Sequence, residues 1–156
     1  MNSLISEKLK IVKGLDPVAD AFSGTVYSES VSASKYDRIS FIVYKGAGAT
    51  GTSTLTVESS SDASRTGATA IAFKYRRVAT GDTAGDVTSA AAAGFTTIAG
   101  ASEVYIVEVQ ASDCEDGKPF LSLKAVEVVD SPVAGGILVL LGDAKYPGDN
   151  LPTAIV

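Results

Sequence analysis

Gly46, Gly48 and Gly51 stand in the spacing G-x-G-x-x-G, directly after the apolar run Ser40 to Tyr44. In a dinucleotide site such glycines open a helix whose free amides hold the pyrophosphate. Here they lead into TSTLTVESS, a strand pattern, so the element that would grip the phosphate is missing. As a phosphate loop the stretch fails at its charged position, because Thr52 stands where the lysine belongs. The glycines are therefore read as a hairpin tip, where positive φ and small side chains serve geometry alone.

Asp82 and Asp86 share a glycine-rich loop, and Asp113, Glu115 and Asp116 surround Cys114, so either group offers hard oxygen ligands to a cation such as calcium. Neither has the alternating oxygens and closing glutamate of an EF-hand loop, and both are read as solvated carboxylates with no metal assigned. Glu103, Glu108 and Glu127 fall in or at the ends of predicted strands and are candidates for paired-carboxylate glycoside hydrolysis. The chain has no tryptophan to make a sugar platform. It also has no histidine, the commonest general base and metal ligand, so its serines and its one thiol, Cys114, lack an activating partner. The acidic neighbours of Cys114 further discourage a thiolate. No catalytic residue, cofactor or metal is assigned, and the chain is expected not to be an enzyme.

Lys74, Arg76 and Arg77 beside Tyr75 form the densest basic patch, a combination that can stack on a base. A net charge of −5 and a sequence pI of about 4.6 repel polyanions at long range. These cations are read as partners for acidic groups on another strand or another subunit, and nucleic acid is not an expected partner.

The elements that would carry these residues follow from pattern. The 156 residues suit one domain with its own core. One cysteine allows no internal bridge, which fits folding in a reducing compartment and cytosolic synthesis. Charges at Glu7, Lys8 and Lys10 interrupt the N-terminal apolar stretch, and the run Val133 to Leu141 is far short of a membrane span of about 20 residues. Neither a targeting segment nor a membrane partner is expected. Mean hydropathy is +0.23 and charged residues make up 20%, below the roughly 25% of soluble domains, which points to surface hidden by self-association.

Leu4, Ile5, Leu9 and Val12 recur near the helical period, so residues 1–16 are read as an N-terminal arm with a short helix over Ser3 to Val12, ended by Gly14 and Pro17. A helix this short persists only by packing on its own domain or on a neighbour. Residues 17–156 are read as a single β domain of about eight strands: Thr25 to Val31, Arg38 to Tyr44, Ser53 to Ser59, Thr69 to Arg77, Phe95 to Ile98, Glu103 to Gln110, Pro119 to Val129 and Gly136 to Leu141. In Thr69 to Arg77, Ile71, Phe73 and Tyr75 share one face. The strands at Arg38 and Ser53 are expected to pair locally as a hairpin. In Pro119 to Val129 the inward set Leu121, Leu123, Ala125 shifts phase to Val126 and Val128, which predicts a β-bulge. Thr80 to Gly94 is read as a long surface loop. Strands without intervening helices predict an all-β fold, an antiparallel β-sandwich or a jelly-roll-like barrel.

The segments TAIAFKYR (Thr69 to Arg76), GDTAGDVTSAAAAGFTTIAG (Gly81 to Gly100) and EVVDSPVAGGILVLLGDAKYP (Glu127 to Pro147) resemble small structural head proteins of tailed bacteriophages. The resemblance implies a capsid decoration or cement protein: a small β domain, typically trimeric, seated on the outer surface of the virion, where it clamps neighbouring copies of the major capsid protein. It carries over no catalytic residue. The candidate interaction residues are Leu4, Ile5, Leu9 and Val12 of the arm and Lys74, Arg76 and Arg77 of the basic patch. The other readings are a phage tail tube or terminator subunit, and a carbohydrate-binding or adhesion sandwich using Tyr27, Tyr36 and Tyr44 as stacking faces.

Overall fold

Alternation of apolar and polar residues along nearly the whole chain is realised as strands, since period two places every second side chain on one face. The computed structural model describes residues 4–48, 50–146 and 151–155. These residues form β1 (Lys10–Val18), β2 (Thr25–Tyr27), β3 (Val31–Ser32), β4 (Tyr36–Lys45), β5 (Thr52–Ser60), β6 (Thr69–Ile71), β7 (Phe73–Thr80), β8 (Thr83–Ala84), β9 (Thr88–Ala90), β10 (Phe95–Thr96), β11 (Glu103–Gln110), β12 (Phe120–Val129) and β13 (Gly135–Ala144). A one-turn helix, α1 (Ile5–Lys8), and a 3-10 turn at Ala111–Asp113 complete the described elements.

Two antiparallel sheets pack as a sandwich with no barrel closure, so the barrel alternative falls. The larger sheet runs β1-β13-β4-β11-β7-β8, with β9 also on β7, and the smaller runs β10-β5-β12-β2, with β6 on β5 and β3 on β12. Between them lie Ile39, Phe41 and Val43 of β4, Val107 of β11 and Val139 and Leu141 of β13, facing Leu55 and Val57 of β5 and Leu121 and Leu123 of β12, all buried. Burying each such side chain contributes about 1.5–3 kcal/mol, which makes this layer the main source of stability.

Several sequence expectations change. The expected helix Ser3 to Val12 shrinks to the turn Ile5–Lys8, and Ser3 lies outside the described residues. From Lys10 onward the arm is a strand that pairs with β13, Lys10 opposite Leu141 and Val12 opposite Val139. An open strand edge offers backbone partners that a short, marginal helix cannot match. The hairpin expected between β4 and β5 does not form. β4 is flanked on both sides, by β13 and β11, and β5 lies in the other sheet between β12 and the short strands β10 and β6. Ten- and eight-residue partners already occupy both edges of β4, so the glycine segment carries the chain across to the second layer.

Thr69 to Arg77 also divides: β6 belongs to the small sheet and β7 to the large, with Ala72 between them. The common face survives the crossing, because Ile71 and Phe73 are buried and Tyr75 is half-buried. The bulge in β12 is real but later than expected, between Glu127 and Val129, so Leu121, Leu123 and Ala125 stay inward and Val128 is left exposed. The loop Thr80 to Gly94 contains β8 and β9, both paired to β7.

Candidate interaction face and an enclosed charge cluster

Outward-facing residues of the large sheet line up in rows across its strands. Pairing sets Lys13, Leu138, Ile42, Ile106 and Arg76 side by side from β1 to β7. The next row towards the β4 C-terminus holds Gly136, Tyr44, Val104 and Val78. On the other side are Ile11, Leu140, Ser40, Glu108 and Lys74. Ile11 is 53% exposed, Tyr44 61% and Leu138 48%, while Ile42, Ile106, Val104 and Leu140 are only partly covered by one another. Contiguous apolar surface of this kind marks an interaction site, whereas scattered exposed leucines do not.

At one end the face deepens into a groove of about 550 Å³, walled by Leu15 and Pro17 on one side and Tyr44 and Val104 on the other, with Ile42 and Leu138 in its floor. The hollow depends on Gly136. A Cβ there would come within 3.1 Å of the Leu15 carbonyl and 3.2 Å of the Pro17 Cα, so a side chain would fit under the β1 bulge only if that backbone moved by a few tenths of an ångström.

The candidate interaction residues separate. Leu4 and Ile5 are 66% and 72% exposed on the α1 turn. Leu9 is half-buried over the outer face, its Cδ2 3.2 Å from where a Gly142 Cβ would stand. Val12 points inward and belongs to this domain's own core, which removes it from the surface set. Lys74 and Arg76 lie on the apolar face at its β7 side, as rim cations. Arg77 turns the other way and pairs with Glu103 of β11, the partner on another strand that the basic patch was expected to find.

That pair belongs to a cluster the sequence did not reveal. Lys45 and Glu103 are register partners at the ends of β4 and β11, each 2% exposed, and Tyr105 is 1% exposed beside them. Arg77 Nη2 donates to Glu103 Oε1, and the Tyr105 hydroxyl donates to Glu103 Oε2 at 2.5 Å. The Ile98 amide donates to the same hydroxyl at 2.9 Å, and Lys45 Nζ donates to the Ala101 carbonyl at 3.0 Å. Burial works to raise the Glu103 carboxyl, but the bonds from Arg77 and Tyr105 outweigh it and hold the group below the usual carboxylate range. Burial lowers the Lys45 ammonium, and together with the bond to Glu103 it pushes the Tyr105 phenol up to about 12. Both Glu103 oxygens are engaged, and the hollow beside Lys45 is only about 10 Å³, room for at most one water. The arrangement ties β4, β11 and β7 together and offers no substrate a place to sit.

The other residues with chemical potential are dispersed. The glycine segment opens no helix: it crosses between layers, and Gly51 lies so close to the 131–133 segment that a Cβ would stand 2.3 Å from the Ser131 carbonyl. Close approach, not a hairpin tip, explains the glycine. Glu103, Glu108 and Glu127 do not converge: Glu103 is enclosed, Glu108 lies on the outer face and Glu127 Oε2 accepts from the Gly24 amide at 2.7 Å. Among the described residues no three acidic or cysteine side chains are grouped to hold a metal ion. Asp82 and Asp86 are exposed, Asp113 accepts from the Gln110 amide at 2.9 Å, and Glu115 is paired with Lys118 at 2.7 Å. Burial raises the Cys114 thiol. Tyr36 is buried with its hydroxyl on the Pro152 carbonyl at 2.5 Å, and the Arg65 guanidinium lies 4.0 Å over Tyr27, so of the three tyrosines considered for sugar stacking only Tyr44 presents a free face. No described helix is long and apolar enough to cross a membrane. No family model, curated protein or solved structure matches the chain.

Proposed function

We propose that this chain is a structural assembly subunit of the decoration type, a homotrimer that sits on the outer surface of a virus head and braces neighbouring copies of the major capsid protein. The observation that carries the assembly role is the outer face of the large sheet, where apolar side chains stand in register across its strands and, beyond the Leu9 contact, the described residues leave them largely uncovered. Association costs about 4–15 kcal/mol of lost freedom, so several such side chains must be buried together, and this face supplies them as one patch. The virion setting rests on the likeness of the segments at Thr69, Gly81 and Glu127 to phage head proteins.

Size-exclusion chromatography with light scattering at micromolar concentration tests the role: a trimer is expected, and a stable monomer overturns it. Binding to expanded heads stripped of their decoration tests the setting. Rings or tubes in electron micrographs of the purified protein would move it to the tail, and selective binding on a glycan array would move it to the adhesion class.

A further inference from the structure

Two features of the large sheet's outer face match one another but lie too far apart to meet within a chain. The first is a knob. In the α1 turn the Glu7 side chain accepts from the Leu4 amide at 2.8 Å, and the Leu9 amide donates to the Ile5 carbonyl at 2.8 Å. This leaves Leu4 and Ile5 standing outward with an acid beside them, while Leu9 holds the turn over Gly142. The second is the groove at Gly136, with Lys13 of β1 exposed at its rim beside Leu138. From Gly142 to Gly136 is about 20 Å along β13, at about 3.4 Å per residue.

Charge decides between the ways two copies could use this face. The row Lys13, Leu138, Ile42, Ile106, Arg76 carries a cation at each end. Laying the face on its own copy about a two-fold axis along the strands sets Lys13 over Arg76. About an axis across the strands, each cation meets its twin. With the axis through Ile42, at the centre of the row, either symmetric pairing opposes like charges across an apolar contact. A head-to-tail contact avoids both and brings Glu7, the acid of a turn that also carries the exposed Lys8, to the cation of the groove.

Resting on the assembly role proposed above, we infer that the Leu4–Ile5 turn of one copy seats in the Gly136 groove of the next, with Glu7 against Lys13, and that this contact repeats around a closed ring. A heterologous contact of this kind closes into a ring when its rotation divides the circle evenly.

The test is sedimentation and light scattering of the full chain and five variants. Leu4→Asp with Ile5→Asp, at sites already exposed, is expected to leave the circular-dichroism spectrum unchanged and to weaken self-association at least about a hundredfold, the range of interface anchors. Leu138→Asp is expected to do the same from the groove side. Glu7→Gln, which keeps an acceptor for the Leu4 amide but removes the charge, and Lys13→Ala should each weaken the oligomer, and their combination should weaken it little more than either alone. If Leu138→Asp dissociates the oligomer but Leu4→Asp with Ile5→Asp does not, the knob is overturned and the assembly role stands. If the unaltered chain is a monomer, both fall.

Discussion

The two sheets of this sandwich dispose of charge and apolar surface in opposite ways. The large sheet buries Lys45 and Glu103 at one end of its inner face, with the half-exposed Arg77 paired to Glu103, and shows Ile42, Tyr44, Val104 and Leu138 outside. The small sheet keeps Leu55, Val57, Leu121 and Leu123 within and carries Thr54, Thr56, Glu58 and Lys124 outside. There Lys124 pairs with Glu58 at 3.2 Å, Thr54 bonds Thr96 at 3.0 Å, and Arg65 and Lys124 cover Tyr27. Away from the exposed Val128 and Val129 at the end of β12, the small sheet's outer face carries paired polar groups. The large sheet leaves apolar side chains exposed on its outer face, and the Lys45, Glu103 and Arg77 cluster joins β4, β11 and β7 behind it.

The contrast can be broken most severely at Glu103. Glu103→Gln leaves the buried Lys45 and the partly exposed Arg77 without their anion, and a loss of about 3 kcal/mol, the lower end for a buried pair because Arg77 still reaches water, is expected in urea denaturation near pH 7. Because the carboxyl titrates lower in the folded chain than its unfolded value of about 4.3, the unfolded chain takes up the proton first on acidification. The stabilisation is therefore whole above that value and is lost as the pH falls through the folded one. A variant as stable as the parent, or a parent no more acid-sensitive than Glu103→Gln, would show that the cluster does not hold the sheet.

A second test contrasts the two outer faces. Ile42→Asp, at the centre of the large face, is expected to weaken self-association about a hundredfold by light scattering, whereas Thr56→Asp on the small face should leave it unchanged. Equal effects would remove the distinction. The smallest change is expected from Lys124→Ala, which opens a partly exposed pair and should cost no more than about 1 kcal/mol by urea denaturation, with the oligomer intact. A loss as large as that of Glu103→Gln would mean the small sheet too depends on its charges.

Much of the architecture was legible from alternation. β11 was placed at Glu103 to Gln110 as found, and β4, β5, β12 and β13 were placed to within a few residues. β1 was missed because Leu4, Ile5, Leu9 and Val12 fit a helical period, while the strand's own alternation, Val12 inward and Ile11 and Lys13 outward, is short and broken by bulges at Leu15. The basic patch pointed correctly to Arg77's partner on another strand, though only pairing distinguished Arg77 from Lys74 and Arg76. The apolar face was hinted at by hydropathy and low charge, without location.

Period two, turn residues and composition were enough to make this an antiparallel β chain and to place a strand, not a helix, after Gly51, because those signals act over a few neighbouring residues. Which strands share a sheet, why Gly51 must be bare and where Lys45 meets Glu103 were settled by tertiary packing. Each depends on residues distant in the chain competing for the same strand edge or the same interior space, and local pattern carries no record of who wins that competition.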